Sequence, residues 1–213
     1  MQMSVSPEDY KDPLTVKEGL VLTKEKEIPL EIKLAGSQDG KPAMVNFRLY
    51  VKKEDDSLQQ IHIELYQDSD LGFLYLADYN GENYDALKKA NKLRKTFGEF
   101  PLMLEDIVKR VVENRSAFKA TLEQDQQDTD KYHLTFQQQL EFKTVKIVAL
   151  DFVTATTEYK RERIQFRYDQ LSHLYSAKLT ELQDLEEEVR RNDPRLLSQI
   201  QKSISLGSTR GRK

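Results

Sequence analysis

The 213-residue chain has no cysteine and no tryptophan. The first absence excludes disulfides and thiolate metal sites and is natural in a reducing compartment. Histidine is scarce: His62, His133 and His173 are the three present, and no two stand at a metal-ligand spacing. Long apolar runs are also missing. A run such as Ile147 to Leu150 is far too short to cross a bilayer. Residues 1–14 hold Pro7, Glu8, Asp9, Lys11, Asp12 and Pro13 and no apolar stretch, so they do not read as a secretory signal. The eight glycines form no phosphate loop, and neither a GxSxG nor an HExxH pattern occurs. Charge of one sign is lacking too: 33 basic against 36 acidic residues leave a net −3, no field to gather nucleic acid or a membrane surface. These absences predict a soluble, intracellular chain with no catalytic site, metal or cofactor.

What is present is periodicity. From about residue 15 to Tyr66 apolar residues alternate with polar ones: Ile28, Leu30, Ile32, Leu34; then Val45, Phe47, Leu49, Val51; then Ile61, Ile63, Leu65. Period two is the strand signature, and the separators 35–40 and 53–57 are turn-forming, so this part reads as antiparallel hairpins. The period then changes. Tyr84, Leu87, Leu93 and Phe97 fit a helix that starts near Asn83 and stops at Gly98. Pro101 suits the first turn of a second helix, with Leu104, Ile107, Val108, Val111 and Val112 as its apolar face. Strands return at 118–122, at 132–138 and around Val148, Leu150 and Phe152. His62 and His133 fall in alternating strands, where ordinary strand roles suffice.

Residues 157–191 contain neither Gly nor Pro. Spacings of three and four select Ile164, Tyr168, Leu171, Tyr175, Lys178, Leu182, Leu185 and Val189, all apolar but Lys178. So narrow a stripe needs a partner helix, and His173 falls off it. A helix of this length extends about 52 Å. Asp193-Pro194 ends the run and introduces a short helix, followed by a basic tail with Arg210, Arg212 and Lys213 that reads as a solvated terminus. The predicted organisation is a disordered lead-in (1–14), a globular α+β head (15–156) built as a small antiparallel sheet capped by helices, a coiled-coil stem (157–191) and a short helix with tail (192–213).

One segment is more specific. Leu65-Tyr66-Gln67-Asp68-Ser69-Asp70-Leu71-Gly72-Phe73-Leu74-Tyr75 reads as strand, acidic turn, aromatic strand. Asp68-Ser69-Asp70 lacks the Gly and distal Glu of a calcium loop and is turn chemistry. Tyr84, Leu87, Lys88, Leu93, Phe97, Phe100 and Pro101 follow at fixed spacing. Together they resemble the signature motif of the head of spindle assembly abnormal protein 6, the centriole cartwheel family, with Tyr84 where the motif has Phe. The resemblance covers about residues 20–190. It implies a head-plus-stalk fold whose heads pair through the tip of the last β-hairpin, an apolar residue there entering a cavity on the partner head. Here that hairpin is 132–152, and its tip, Glu141, Phe142, Lys143, Thr144 and Val145, places Phe142-Lys143 where the family carries its Phe-Lys pair. A phenylalanine between charged residues at a hairpin tip calls for a partner on physical grounds alone.

The stem ends at Pro194, so the chain looks most like the short, stalk-poor "like" branch, associated with flagellar basal bodies, axonemes and the apical conoid of some parasites. The implied function is a self-associating cytoskeletal scaffold rather than an enzyme. Its partners would be copies of itself and other cytoskeletal or basal-body proteins, with no small-molecule substrate. The alternative is an adaptor of the related head-plus-stalk DNA-repair scaffolds, against which the lack of a basic stripe on 157–191 weighs.

Overall fold

The computed structural model describes residues 12–37, 39–192 and 195. They divide into two compact units, one up to Ile164 and one from Gln165 onward. The first unit is a barrel. Strands β1 (Val21–Lys33), β2 (Lys41–Glu54), β3 (Ser57–Tyr66) and β4 (Leu74–Asn80) form an antiparallel meander. Strands β5 (Phe118–Gln124), β6 (Lys131–Gln139) and β7 (Thr144–Thr154) form a second. The chain reverses between β2 and β3 through Asp55 and Asp56, both left-handed (φ 48° and 60°), a conformation Asp tolerates better than most residues.

The two meanders close on each other, which corrects the expected small antiparallel sheet: all seven strands join in a closed barrel in the order β1-β2-β3-β4-β7-β6-β5. One seam is parallel, Glu31–Lys33 of β1 beside Thr121–Glu123 of β5. The other is antiparallel and only two pairs long, Tyr75 with Thr154 and Leu76 with Val153. Both join segments far apart in sequence, which alternation within each strand cannot reveal. Pro29 sits in β1 before the parallel seam begins, where the backbone is paired only to β2 and a missing N–H is tolerated.

The interior holds the predicted apolar rows: Ile28, Leu30, Val45, Phe47, Leu49, Ile61, Ile63 and Leu65 from the first meander, and Leu122, Leu134, Phe136, Val148, Leu150 and Phe152 from the second. Helix α3 (Phe100–Glu113) adds Leu104, Ile107, Val108 and Val111 to the same core, with Pro101 in its first turn. Helix α2 (Gly81–Asn91) begins at an Asn80 cap and stops earlier than expected. Lys92, left-handed at φ 53°, ends it, and Gly98 lies in a following 3-10 turn, Phe97–Glu99. The lead-in also ends sooner than residue 14: Asp12 caps a short helix α1 (Pro13–Glu18), whose Leu14 is buried.

Where β4 and β7 diverge, side chains replace the missing backbone ladder. The Asn91 side chain accepts from the Ala149 amide (2.8 Å) and donates to the Ala149 carbonyl (3.2 Å). The Tyr79 hydroxyl likewise accepts from the Asp151 amide (3.1 Å) and donates to its carbonyl (3.4 Å). Backbone groups enclosed without partners are destabilising, so these two residues complete the barrel wall. Asn91→Ala strips the partners from Ala149 and should lower the unfolding free energy by about 1–3 kcal/mol. Urea unfolding measures it, and an unchanged midpoint would show that the gap needs no bridge.

Candidate functional site

The signature residues brace this fold. Asp70 Oδ1 accepts from the Gly72 amide at 2.9 Å and closes the turn into β4, while Asp68 Oδ2 accepts from Asn46 at 3.3 Å. Phe73 meets Tyr75 edge-on at 4.6 Å between centroids, and Tyr75 meets Tyr132 at 4.2 Å. Tyr84 lies 4.9 Å from Phe100 and 5.4 Å from Phe97, and Leu87 is buried beside them. The Tyr84 hydroxyl donates to the Lys95 carbonyl at 2.8 Å, so the polar atom that distinguishes it from Phe is satisfied. Asp68 and Asp70 are exposed turn residues and the aromatics and Leu87 are buried or half-buried, and the contacts all of them make are structural.

The last hairpin is different. β6 and β7 are joined by residues 140–143, closed by the Leu140 amide donating to the Lys143 carbonyl at 2.8 Å. Thr144 and Val145 already belong to β7, and Val145 is half-buried. Glu141 and Lys143 are exposed. Phe142 is 90% exposed, the most exposed large apolar side chain among the described residues. It does not turn back onto its own sheet, although the strands that carry it are core elements with Phe136, Val148 and Leu150 buried.

Helix α4 (Thr157–Asn192) begins in the first unit, and its part in the second, from Gln165, carries an exposed stripe of Tyr168, Leu171, Tyr175, Leu182 and Leu185. Leu174 and Leu179, outside the predicted seam, are exposed as well and broaden it. Ile164, read as the first seam position, is half-buried and lies in the first unit, and Val189 is half-buried. Lys178 sits on the stripe and pairs with Glu181 at 2.6 Å along its own helix. Arg190 and Arg191 pair with Glu186 and Glu187 one turn earlier, so the flank of the stripe is a solvated ionic face. The short helix and basic tail expected from Asp193-Pro194 onward lie outside the described residues apart from Arg195.

Sequence reasoning missed a buried charge network at the root of α4. Glu64 of β3 and Arg163 of α4 are enclosed on the outer face of the sheet, at 1% and 3% exposure. Arg163 holds Asp12 with both terminal nitrogens (2.6 and 3.2 Å) and reaches Glu64 Oε2 (2.9 Å) and the Tyr50 hydroxyl (2.8 Å). Tyr50 donates to Asp12 Oδ2 at 2.9 Å. Tyr159, one turn before Arg163, donates to Glu64 Oε1 at 2.8 Å. With that proton committed, its oxygen accepts from His62 Nε2 at 3.0 Å, while His62 Nδ1 lies 2.8 Å from Asp78 Oδ1. Both ring nitrogens therefore donate and His62 is an imidazolium. Burial opposes that charge, but the Asp78 hydrogen bond and the nearby Glu64 more than offset it and raise the ring from 6.5 to about 9. Burial would raise Glu64, yet His62, Arg163 and Tyr159 bring it down to about 2. Arg48 extends the network, gripping Glu25 at 2.8 Å under the Tyr66 ring. His133, by contrast, is a surface group between Asp151 (2.7 Å) and Asp125 (3.2 Å), and His173 is exposed.

Because His62 has the higher pKa when folded, its contribution is complete below pH 6.5 and is lost as pH rises through about 9. Tyr50 and Tyr159 are raised by burial and by Glu64, so they do not titrate in that window. The melting temperature should fall between pH 7 and pH 10, and His62→Gln should flatten that fall. An identical alkaline slope in the variant would remove His62 from the network.

The sequence model of the Centriolar protein SAS N-terminal domain matches residues 22–152. An N-terminal fragment of Leishmania SAS-6 containing part of its coiled coil domain superposes with a TM-score of 0.71 at 14% identity, covering 86% of this chain and 98% of that one. For an N-terminal fragment of Drosophila melanogaster Sas-6, dimerised via its coiled-coil domain, the TM-score is 0.72 at 14% identity, over 95% of this chain and 100% of that one. The N-terminal domain of C. elegans SAS-6 gives 0.53 at 15% identity, over 64% and 99%. No curated protein matches the sequence. At these identities the structural likenesses establish the fold alone, whereas the family's sequence model takes in more than half of the residues, from the start of β1 to the end of β7. The chain belongs to the SAS-6 family of centriolar proteins.

Proposed function

We propose that the protein is a self-assembling structural subunit of a centriole or basal-body scaffold, with two surfaces for copies of itself. The observation that carries this reading is Phe142, an aromatic held 90% exposed on a short, hydrogen-bonded turn. Burying it in a partner head gains about 1.5–3 kcal/mol from transfer alone, which suits a weak, reversible contact. The second surface is the α4 stripe around Leu171, Tyr175 and Leu182, which pairs in parallel with the same stripe of another copy. The dimerisation of the Drosophila fragment via its coiled-coil domain supports this, by similarity. Tyr168, Tyr175 and Lys178 pack poorly in a two-stranded seam and keep the pairing modest. Two different symmetric contacts per chain generate open or closed polymers, according to the angle between them.

Sedimentation of the full-length chain separates the two surfaces. Phe142→Asp should weaken head pairing about ten- to hundred-fold while leaving the stem-paired species intact. Leu171→Glu with Leu182→Glu should do the reverse. Assembly unchanged in Phe142→Asp would eliminate the head contact. Tagging the chain in cells discriminates a centriole or basal body from a flagellar or apical setting.

A further inference from the structure

The network at the root of α4 has features that plain stabilisation does not require. Tyr159 and Arg163 stand one turn apart on the same helix face and both reach the outer face of β2 and β3. Two small apolar clusters meet at the half-buried Tyr159, Leu14, Leu20 and Tyr50 in one and Tyr66, Leu74 and Ala155 with Leu76 in the other. Directional polar bonds act beside them. They come from three separate parts of the chain: Asp12 ahead of α1, Tyr50 and Glu64 on the barrel, Tyr159 and Arg163 on the helix. Asp12 also accepts from the Leu14 amide at 3.0 Å, so the carboxylate that clasps Arg163 is the cap of α1. Lys17 of α1 reaches Glu162 at 3.2 Å, an outer, solvated tie beside the buried one.

Apolar contact tolerates a helix that slides or rolls by a few degrees, because methyl groups are interchangeable. A desolvated guanidinium between two carboxylates does not, since any other placement takes from Glu64 the cation that bonds it at 2.9 Å and leaves Arg48 and His62, each 3.9 Å away. The arrangement thus selects one position for the first two turns of α4.

We propose that Arg163 is a positioning residue, locking the root of α4 (residues 157–164) to the barrel with Glu64 as anchor and Asp12 as clasp, so that the helix starts from one fixed place on β2 and β3. The lock rests on the geometry alone and is independent of the proposed function.

Hydrogen exchange on the full-length chain tests the lock directly. Arg163→Met combined with Glu64→Gln removes the buried ion pair as a whole, and Asp12 keeps its bonds from the Leu14 amide and the Tyr50 hydroxyl. Amides 159–164 should exchange at least tenfold faster than in the wild type, with exchange in the barrel strands and the stem-paired mass retained. Arg163→Lys should recover only part of the protection, because an ammonium cannot grip both Asp12 oxygens in plane. Asp12→Asn keeps a capping oxygen and removes the clasping charge, so its root exchange decides between lock and no lock should the double variant not fold. Root exchange at the wild-type rate in a folded variant overturns the lock. If wild type and variants alike form no larger species, the assembly reading fails, while the exchange result still decides the lock.

Discussion

A carboxylate removed from water has to be matched from within, and Glu64 is matched from several sides at once. It projects from β3 on the outer face of the barrel, where a strand residue ordinarily meets solvent. It is enclosed because the start of α4 lies over it, and that helix brings the Arg163 guanidinium and the Tyr159 hydroxyl with it. Cover and charge require each other: without Arg163 the buried carboxylate would keep only Arg48 and His62 at 3.9 Å, and without burial the ion pair would contribute little. Asp12 draws the segment before α1 into the same arrangement. One buried interaction therefore makes the chain's early segment, the barrel wall and the helix root interdependent.

The barrel shows the same economy. Its two seams are short, and the wall between β4 and β7 is completed by the Asn91 and Tyr79 side chains. The aromatic signature residues fix the corner where β4 passes into α2 and α3. On this platform β6 and β7 run with core residues on one face up to the turn that bears Phe142. An exposed phenylalanine is unremarkable on a mobile loop. On a closed turn between two core strands it is held away from its own sheet, which is the basis of the proposed head contact.

How much of this the sequence disclosed follows from how local each signal is. The inward rows of β2 and β3, the apolar face of α3 and the turn bearing Phe142 were legible because periodicity and turn chemistry act over a few residues. Closure of the barrel was not, since its parallel seam joins Glu31–Lys33 to Thr121–Glu123. The end of α2 was misplaced because Lys92 adopts the left-handed conformation that sequence reasoning reserves for glycine. The charge network was hidden most completely. Tyr50, His62 and Glu64 occupy the polar positions of alternating strands, and alternation assigns such positions to water. The one available cue was the spacing of Tyr159 and Arg163 along α4, and by itself it suggests an ordinary solvated helix face.

These features differ in strength, and the difference is informative. In the proposed assembly the tip contact rests on one side chain and the stem stripe is interrupted by Lys178, so each pairing is weak. At the root of α4 the requirement is different. Apolar burial alone would hold the helix and let it slide. Charges buried in a fixed hydrogen-bond geometry add little net stability but tolerate few alternatives. That intolerance is what the Asp12–Arg163–Glu64 network adds where a few leucines would have supplied adhesion alone.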